Sequence, residues 1–269
     1  MLDRARERVD GNFSLNRLIP NILTLLALCA GMTAIRFALQ GKFEYSAIAI
    51  MLAAVVDGID GRVARFLKAT SNLGAQLDSL SDFVSFGVAP AVLLYIWTMA
   101  QLQALGWALV LLFCVCSALR LARFNTQLGT EPPSYAYNFF IGVPAPAAAG
   151  LVMIPLLFTF QLGIDPPFRS PYVVGAFLAA VSVLMVSRVP TYSFKRFRVR
   201  RDWVLPTLLT IGALVAFMTT EPWATLLLIA LLYLGSIPVS AWSHRRMQRA
   251  AGERRAGYAR AGTDAAPRN

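Results

Sequence analysis

An all-α membrane protein of about eight spanning helices is the fold class that this 269-residue chain predicts, on three observations. Hydrophobic residues make up 57% of it and charged ones only 14%, against roughly 45–50% and about 25% in soluble domains. Mostly apolar stretches of about 15–25 residues recur along it, each near the ~20 that cross a hydrocarbon core of about 30 Å. Basic residues outnumber acidic ones 25 to 14, a net charge of +11, and they fall where membrane topology wants them. The composition excludes a disordered, collagen-like or disulfide-stapled chain and argues against a water-soluble enzyme.

The stretches run, in order, over 19–38, 44–66, 73–99, 104–124, 141–162, 171–187, 204–219 and 223–242. The first is long for a signal-peptide core and lacks a small-residue cleavage site, so it reads as a span. Turn residues separate the others: Gly41, Gly106, Pro132-Pro133, Pro166-Pro167 and Pro222. Eight spans place both termini on one side of the membrane. With the N-terminus cytoplasmic, only Arg36, Lys42 and Arg169 of the 25 basic residues fall outside, a strong positive-inside distribution. The chain then divides into a cytoplasmic tail (1–17), a transmembrane domain (18–242) and a basic cytoplasmic tail (243–269), expected to be disordered and to touch anionic lipid. Its basic residues lack the aromatic interleaving of a nucleic-acid-binding segment, so no nucleic-acid partner is expected. Cys29, Cys114 and Cys116 lie in apolar stretches and read as packing residues, and His244 stands alone at an inner helix end.

Four carboxylates are out of place in this solvent: Asp57 and Asp60 in the second stretch, Asp78 and Asp82 in the third. Each would cost about 2.5–3.5 kcal/mol at a helix centre, so the four need a shared cation or a wet cavity. Within each pair the spacing, three and four residues, keeps both on one helical face. Asp60 with Asp78, and Asp57 with Asp82, are also placed symmetrically about residue 69, inside the polar break from Lys68 to Asn72. An antiparallel hairpin turning there brings all four to one level, roughly 13–20 Å along the helices from the turn. With no His or Cys nearby, this is a hard-oxygen site for Mg²⁺, Mn²⁺ or Ca²⁺. Gly58 and Gly61 leave the backbone bare beside Asp60, and Arg65 stands one turn further on, an arrangement suited to a diphosphate. Glycines at such positions also serve helix packing, and carboxylates at mid-membrane also occur in cation transporters.

In order, residues 57–82 read D-x2-D-G-x2-A-R-x8-G-x3-D-x3-D, through Asp57, Asp60, Gly61, Ala64, Arg65, Gly74, Asp78 and Asp82. This resembles the signature of the CDP-alcohol phosphatidyltransferase family. Pro20-Asn21 with Thr24, residues 118–125 (ALRLARFN), 142–150 (GVPAPAAAG) and 185–191 (MVSRVPT) resemble the branch whose acceptor alcohol is L-serine. The resemblance spans about residues 15–200.

It implies a six-helix core with two further C-terminal helices. It implies CDP-diacylglycerol and L-serine as substrates and a possible homodimer, while the charge split puts the site on the cytosolic face of a cytoplasmic membrane, with membrane lipids as neighbours. As cofactor it implies a divalent metal, Mg²⁺ or Mn²⁺, as two ions. Carried over, Asp57, Asp60 and Asp78 are principally metal ligands, and Asp82 joins them at the metal and acts as general base. Gly61, Ala64, Arg65 and Gly74, with Asn21 and Thr24 on the first helix, would bind CDP-diacylglycerol. Helix packing competes as the role of Ala64 and Gly74, and helix capping as that of Asn21 and Thr24. Arg120, Arg123 and Asn125 are candidates for the serine site, against an ordinary positive-inside role for the two arginines. Arg188 and the basic loop beyond it suit either lipid phosphate or topology. Another acceptor (glycerol 3-phosphate, inositol phosphate or choline) is the alternative within the family, and a divalent-cation transporter the alternative outside it.

Overall fold

The computed structural model describes residues 15–67, 71–126, 139–163, 167–187, 190–192, 203–238 and 240. Residues 1–14 of the N-terminal tail, Arg188, most of the basic loop after it, and the C-terminal tail with His244 lie outside the described residues, while the last three tail residues already belong to the first helix.

Helical structure occupies all eight apolar stretches. α1 (Leu15–Leu39) and α2 (Phe43–Phe66) are joined through Gly41, whose φ of +73° closes the turn. α3 (Asn72–Asp82) runs through a π-helical segment (Phe83–Val88) into α4 (Ala89–Trp97). Pro90 has no N–H to give the Phe86 carbonyl, which accounts for the slack in the helix at that point. A 3₁₀ turn (Met99–Leu102) leads to α5 (Gln103–Thr126).

The fifth stretch departs from a single helix beginning at residue 141. It comprises α6 (Ala145–Val152) and α7 (Ile154–Leu162), bent by 47° at Met153, where Pro155 denies the upstream turn a donor. Before it, β1 (Phe139–Ile141) pairs antiparallel with β2 (Pro190–Tyr192), a small ribbon that an all-α reading does not contain. The turn out of β1 requires Gly142: its φ is +81°, and a Cβ there would stand 2.6 Å from the Met185 carbonyl oxygen. α8 (Pro171–Val186), α9 (Val204–Thr220) and α10 (Pro222–Pro238) complete the chain.

Small residues set the helix spacing, as expected where lipid removes the hydrophobic drive to associate. α1 and α2 pack most extensively, with Ala34 and Ala38 buried on one and Ala49 and Ala53 on the other. The Ser46 hydroxyl of α2 donates to the Ala34 carbonyl at 2.8 Å. Any side chain at Gly31 would strike Ser85, and a Cβ at Gly87 would lie 2.9 Å from the Ser117 hydroxyl, so α1 and α5 both approach the π segment closely.

The outside of the bundle is apolar. Leu25, Leu26, Met32, Leu111 and Leu119 are exposed, and α9 has no buried residue at all. Such a surface is stable only against hydrocarbon, which makes this an integral membrane protein. Among the described residues, Leu18–Leu39, Asn72–Trp97 and Met99–Thr126 are long and apolar enough to cross a membrane, and the bent pair α6–α7 makes a fourth if it is one broken span. α8, α9 and α10 are apolar but shorter.

Candidate active site

The site is built where α2 ends and α3 begins. α2 stops at Phe66 and α3 starts at Asn72, on either side of the predicted turn. The Ser71 hydroxyl caps α3 by accepting from the Gly74 N–H at 3.0 Å. α1 packs against both helices and supplies the third side of the cleft.

Asp57, Asp60 and Asp78 each offer an oxygen within 4.8 Å of the others. Asp60 is buried and the other two are half-buried. Ionised carboxylates at that separation repel one another by roughly 3–4 kcal/mol per pair at an effective dielectric of about 20. They hold this geometry because the backbone imposes it and because neighbours orient them. The Thr24 hydroxyl of α1 donates to Asp60 Oδ2 at 2.8 Å, with the Pro20 carbonyl oxygen 3.1 Å away as its other acceptor. The Ser81 hydroxyl of α3 donates to the Thr24 carbonyl at 3.1 Å, so Thr24 ties α1 to both carboxylate-bearing helices.

Asp82 lies one turn beyond Asp78. It stands within reach of Asp57, and its Oδ1 is buried with no hydrogen-bond partner among the described residues. Arg120, half-buried on α5, is within electrostatic reach of Asp82, and Tyr233 of α10 is within reach of Arg120. Three converging hard oxygens, plus an orphaned carboxylate oxygen beside them, fit a divalent cation bound by oxygen.

The remaining candidates separate by placement. A Cβ at Gly58 or Gly61 would meet nothing within 4 Å, so α2 is bare there. Ala64 is half-buried, and Arg65 is exposed on the last turn. Gly74 instead faces crowded surroundings: a Cβ would come 3.0 Å from Asn21 Oδ1 and 3.1 Å from Ser71 Oγ. Asn21 thus stands against the start of α3. Asn125 Nδ2 donates to the Ser79 hydroxyl at 2.9 Å, joining α5 to α3. Arg123 donates through Nη1 to the Val186 carbonyl at 3.0 Å, at the open end of α8. Arg120 is therefore the arginine that the structure brings to the carboxylates. Sequence reasoning did not find Ser79, Ser81 or Tyr233; a lone hydroxyl in an apolar helix carries no spacing signal.

A membrane-embedded carboxylate cluster able to hold a metal ion, beside an exposed, glycine-lined helix face, defines a class of protein, an integral membrane protein with a polar site inside its bundle. The chain belongs to the CDP-alcohol phosphatidyltransferase family, whose model matches residues 17–193. A second model, CDP-alcohol phosphatidyltransferase 2, matches residues 202–238. Among its relatives is a protein of Mycobacterium tuberculosis named CDP-diacylglycerol–serine O-phosphatidyltransferase, 37% identical over 91% of this chain and 84% of its own length. Proteins of the same name from Helicobacter pylori J99 (33% identical, over 81% of this chain and 88% of theirs) and Methanocaldococcus jannaschii (36%, over 69% and 81%) are also similar.

Proposed function

We propose that this protein transfers the phosphatidyl group of CDP-diacylglycerol to the hydroxyl of L-serine, giving phosphatidylserine and CMP. The observation that carries this reading is the meeting of Asp57, Asp60 and Asp78 within 4.8 Å, in a chain whose relatives bear that activity's name over most of their length. Asp57, Asp60 and Asp78 would hold divalent metal, two ions of Mg²⁺ or Mn²⁺. When bound, the metal offsets the charge of the diphosphate and stabilises the departing CMP.

The chain's own groups divide the remaining work. The open face at Gly58 and Gly61 admits the nucleotide to the backbone of α2, with Ala64 beside it and Arg65 placed for its phosphates. Arg120 receives the serine carboxylate, and Asn125 with Ser79 lines the same side. Asp82 accepts the hydroxyl proton, its buried Oδ1 having no hydrogen-bond partner among the described residues. A serine hydroxyl is a weak nucleophile at neutral pH, which is why a base is needed there. The serine oxygen–phosphorus bond forms as the bond from phosphorus to CMP breaks, and the bonding pair leaves with CMP. Thr24 holds Asp60 in place, and Arg123 ties α5 to α8.

In the membrane, eight spans with both termini in the cytoplasm put this cleft on the cytosolic side of the cytoplasmic membrane, in keeping with the basic residues. Residues 1–17 and 243–269 are then cytoplasmic tails. Purified protein given CDP-diacylglycerol and one alcohol at a time tests the reading. CMP release is expected with L-serine and Mn²⁺ or Mg²⁺, and loss of it with EDTA. Release with glycerol 3-phosphate, inositol phosphate or choline but not with L-serine would overturn the acceptor assignment.

A further inference from the structure

α10 carries none of the carboxylates, yet its packed face reaches them. That face is Trp223, Leu226, Leu227, Ala230, Tyr233 and Ile237, at the three- and four-residue spacing of one side of a helix. The contact of Trp223 with Phe160 of α7, ring centroids 4.8 Å apart, fixes the start of α10 against the bundle. Two and a half turns on, Tyr233 shares a cavity wall with Ala54 of α2 and Phe86 of the π segment, and it is the one polar side chain on that lining. Ala54 is three residues from Asp57 and Phe86 four from Asp82, one helical turn in each case, so this wall adjoins the carboxylates.

A buried hydroxyl is costly unless it meets a polar group. The Tyr233 hydroxyl oxygen is buried, and Arg120 is the charged side chain within its electrostatic reach. Arg120 raises the complementary question. An arginine near a helix end can carry its guanidinium out to the interface on its long stem, yet Arg120 stays half-buried near Asp82. Arg123, three residues on, turns elsewhere and donates to the Val186 carbonyl. Asp82 gives Arg120 one reason to stay, but a guanidinium holds five N–H donors in a fixed plane, more than one carboxylate can use. A phenol oxygen adds an acceptor dipole without adding a charge. A further carboxylate at this place would repel an anionic acceptor, and a purely apolar side chain would give the guanidinium nothing to hold it inward.

We propose that Tyr233 is a positioning residue of the acceptor site: from α10 its hydroxyl sets the Arg120 guanidinium where the carboxylate of an amino-acid acceptor meets it. α10 thereby completes a site otherwise built on α1, α2, α3 and α5. The inference rests on the function proposed above, in which Arg120 receives the serine carboxylate.

Tyr233→Phe deletes the hydroxyl and keeps the ring in the packed face. CMP release is followed on the full chain in lipid nanodiscs, at saturating CDP-diacylglycerol and Mn²⁺, with L-serine titrated. The expected result is a rise of about fivefold in the KM for L-serine, the scale of one hydrogen bond, with kcat, the donor KM and the unfolding temperature near wild type. In an Arg120→Ala background the same substitution should change the serine KM by less than about twofold, because the group it positions is gone. Thr225→Val is the comparison: Thr225 is also buried on α10, but its hydroxyl donates within the helix to the Glu221 carbonyl at 2.8 Å, so the serine KM should stay near wild type. An unchanged serine KM in Tyr233→Phe overturns the inference. So does a rise that persists at full size in the Arg120→Ala background, or an equal rise in Thr225→Val, since either assigns the effect to the packing of α10. Any of these in a wild-type protein that releases CMP with L-serine refutes the role of Tyr233 alone. Wild-type protein that releases CMP with another alcohol and not with L-serine refutes the proposed function, and the role of Tyr233 with it.

Discussion

Replacing Thr24 with valine keeps shape and apolar bulk while deleting one hydrogen-bond donor. In the folded protein that donor meets Asp60 Oδ2 at 2.8 Å, both groups being buried. A hydrogen bond to a charged group contributes about 1.5–3 kcal/mol, and an outer partner of a metal ligand is worth about 10–100-fold in metal affinity. The two scales agree, since about 1.4 kcal/mol is tenfold. Mn²⁺ binding by Thr24→Val should therefore weaken by about 10–100-fold, and Thr24→Ser, which keeps the hydroxyl, should stay near wild type. Free Mn²⁺ is titrated by electron paramagnetic resonance against protein in nanodiscs, alongside CMP release as a function of Mn²⁺ concentration. Saturating metal should restore most of the turnover lost in the valine variant. Unchanged Mn²⁺ affinity, with a raised KM for CDP-diacylglycerol instead, would refute the positioning role and return Thr24 to the nucleotide site.

Asp82→Asn should abolish turnover while largely sparing CDP-diacylglycerol binding, whereas Asp57→Asn should lose Mn²⁺ affinity; equal loss of donor binding in both would sink the base assignment. Arg120→Ala should raise the KM for L-serine by about tenfold or more, the scale of a lost charged hydrogen bond, with the donor KM little changed. Arg123→Ala should leave the serine KM near wild type and lower the unfolding temperature instead, because its partner is the Val186 carbonyl.

The carboxylates were legible because an acid in an apolar helix has few reasons to exist. Their symmetry about residue 69 was enough to predict a shared depth, and Asp57, Asp60 and Asp78 do converge. What the spacing did not resolve was the role of each neighbour. Asn21, Thr24 and Gly74 lie near one another on α1 and α3, yet Thr24 serves Asp60 and Asn21 abuts Gly74, distinctions that depend on side-chain direction. Arg120 and Arg123 looked equivalent at three residues apart, but one lies near Asp82 and the other ties down α8. The breaks within the third and fifth stretches had a visible signal, since Pro90 and Pro155 each remove a backbone donor. Tyr233 had none: its relevance comes from how α10 packs, and hydropathy does not encode packing partners.

The helices are unequal in a way that reaches beyond the fold. α1 has 25 residues and reaches about 37 Å, while α8 and α9, with 16 and 17, reach about 24–26 Å. A hydrocarbon core of about 30 Å matches neither. As spans, the short helices would draw the bilayer thin around them while α1 tilts to fit, at a cost of fractions of a kcal/mol per Å. Membrane thickness thereby becomes an operating condition for the protein: the lipids that its reaction helps to make would set the mechanical load under which it works.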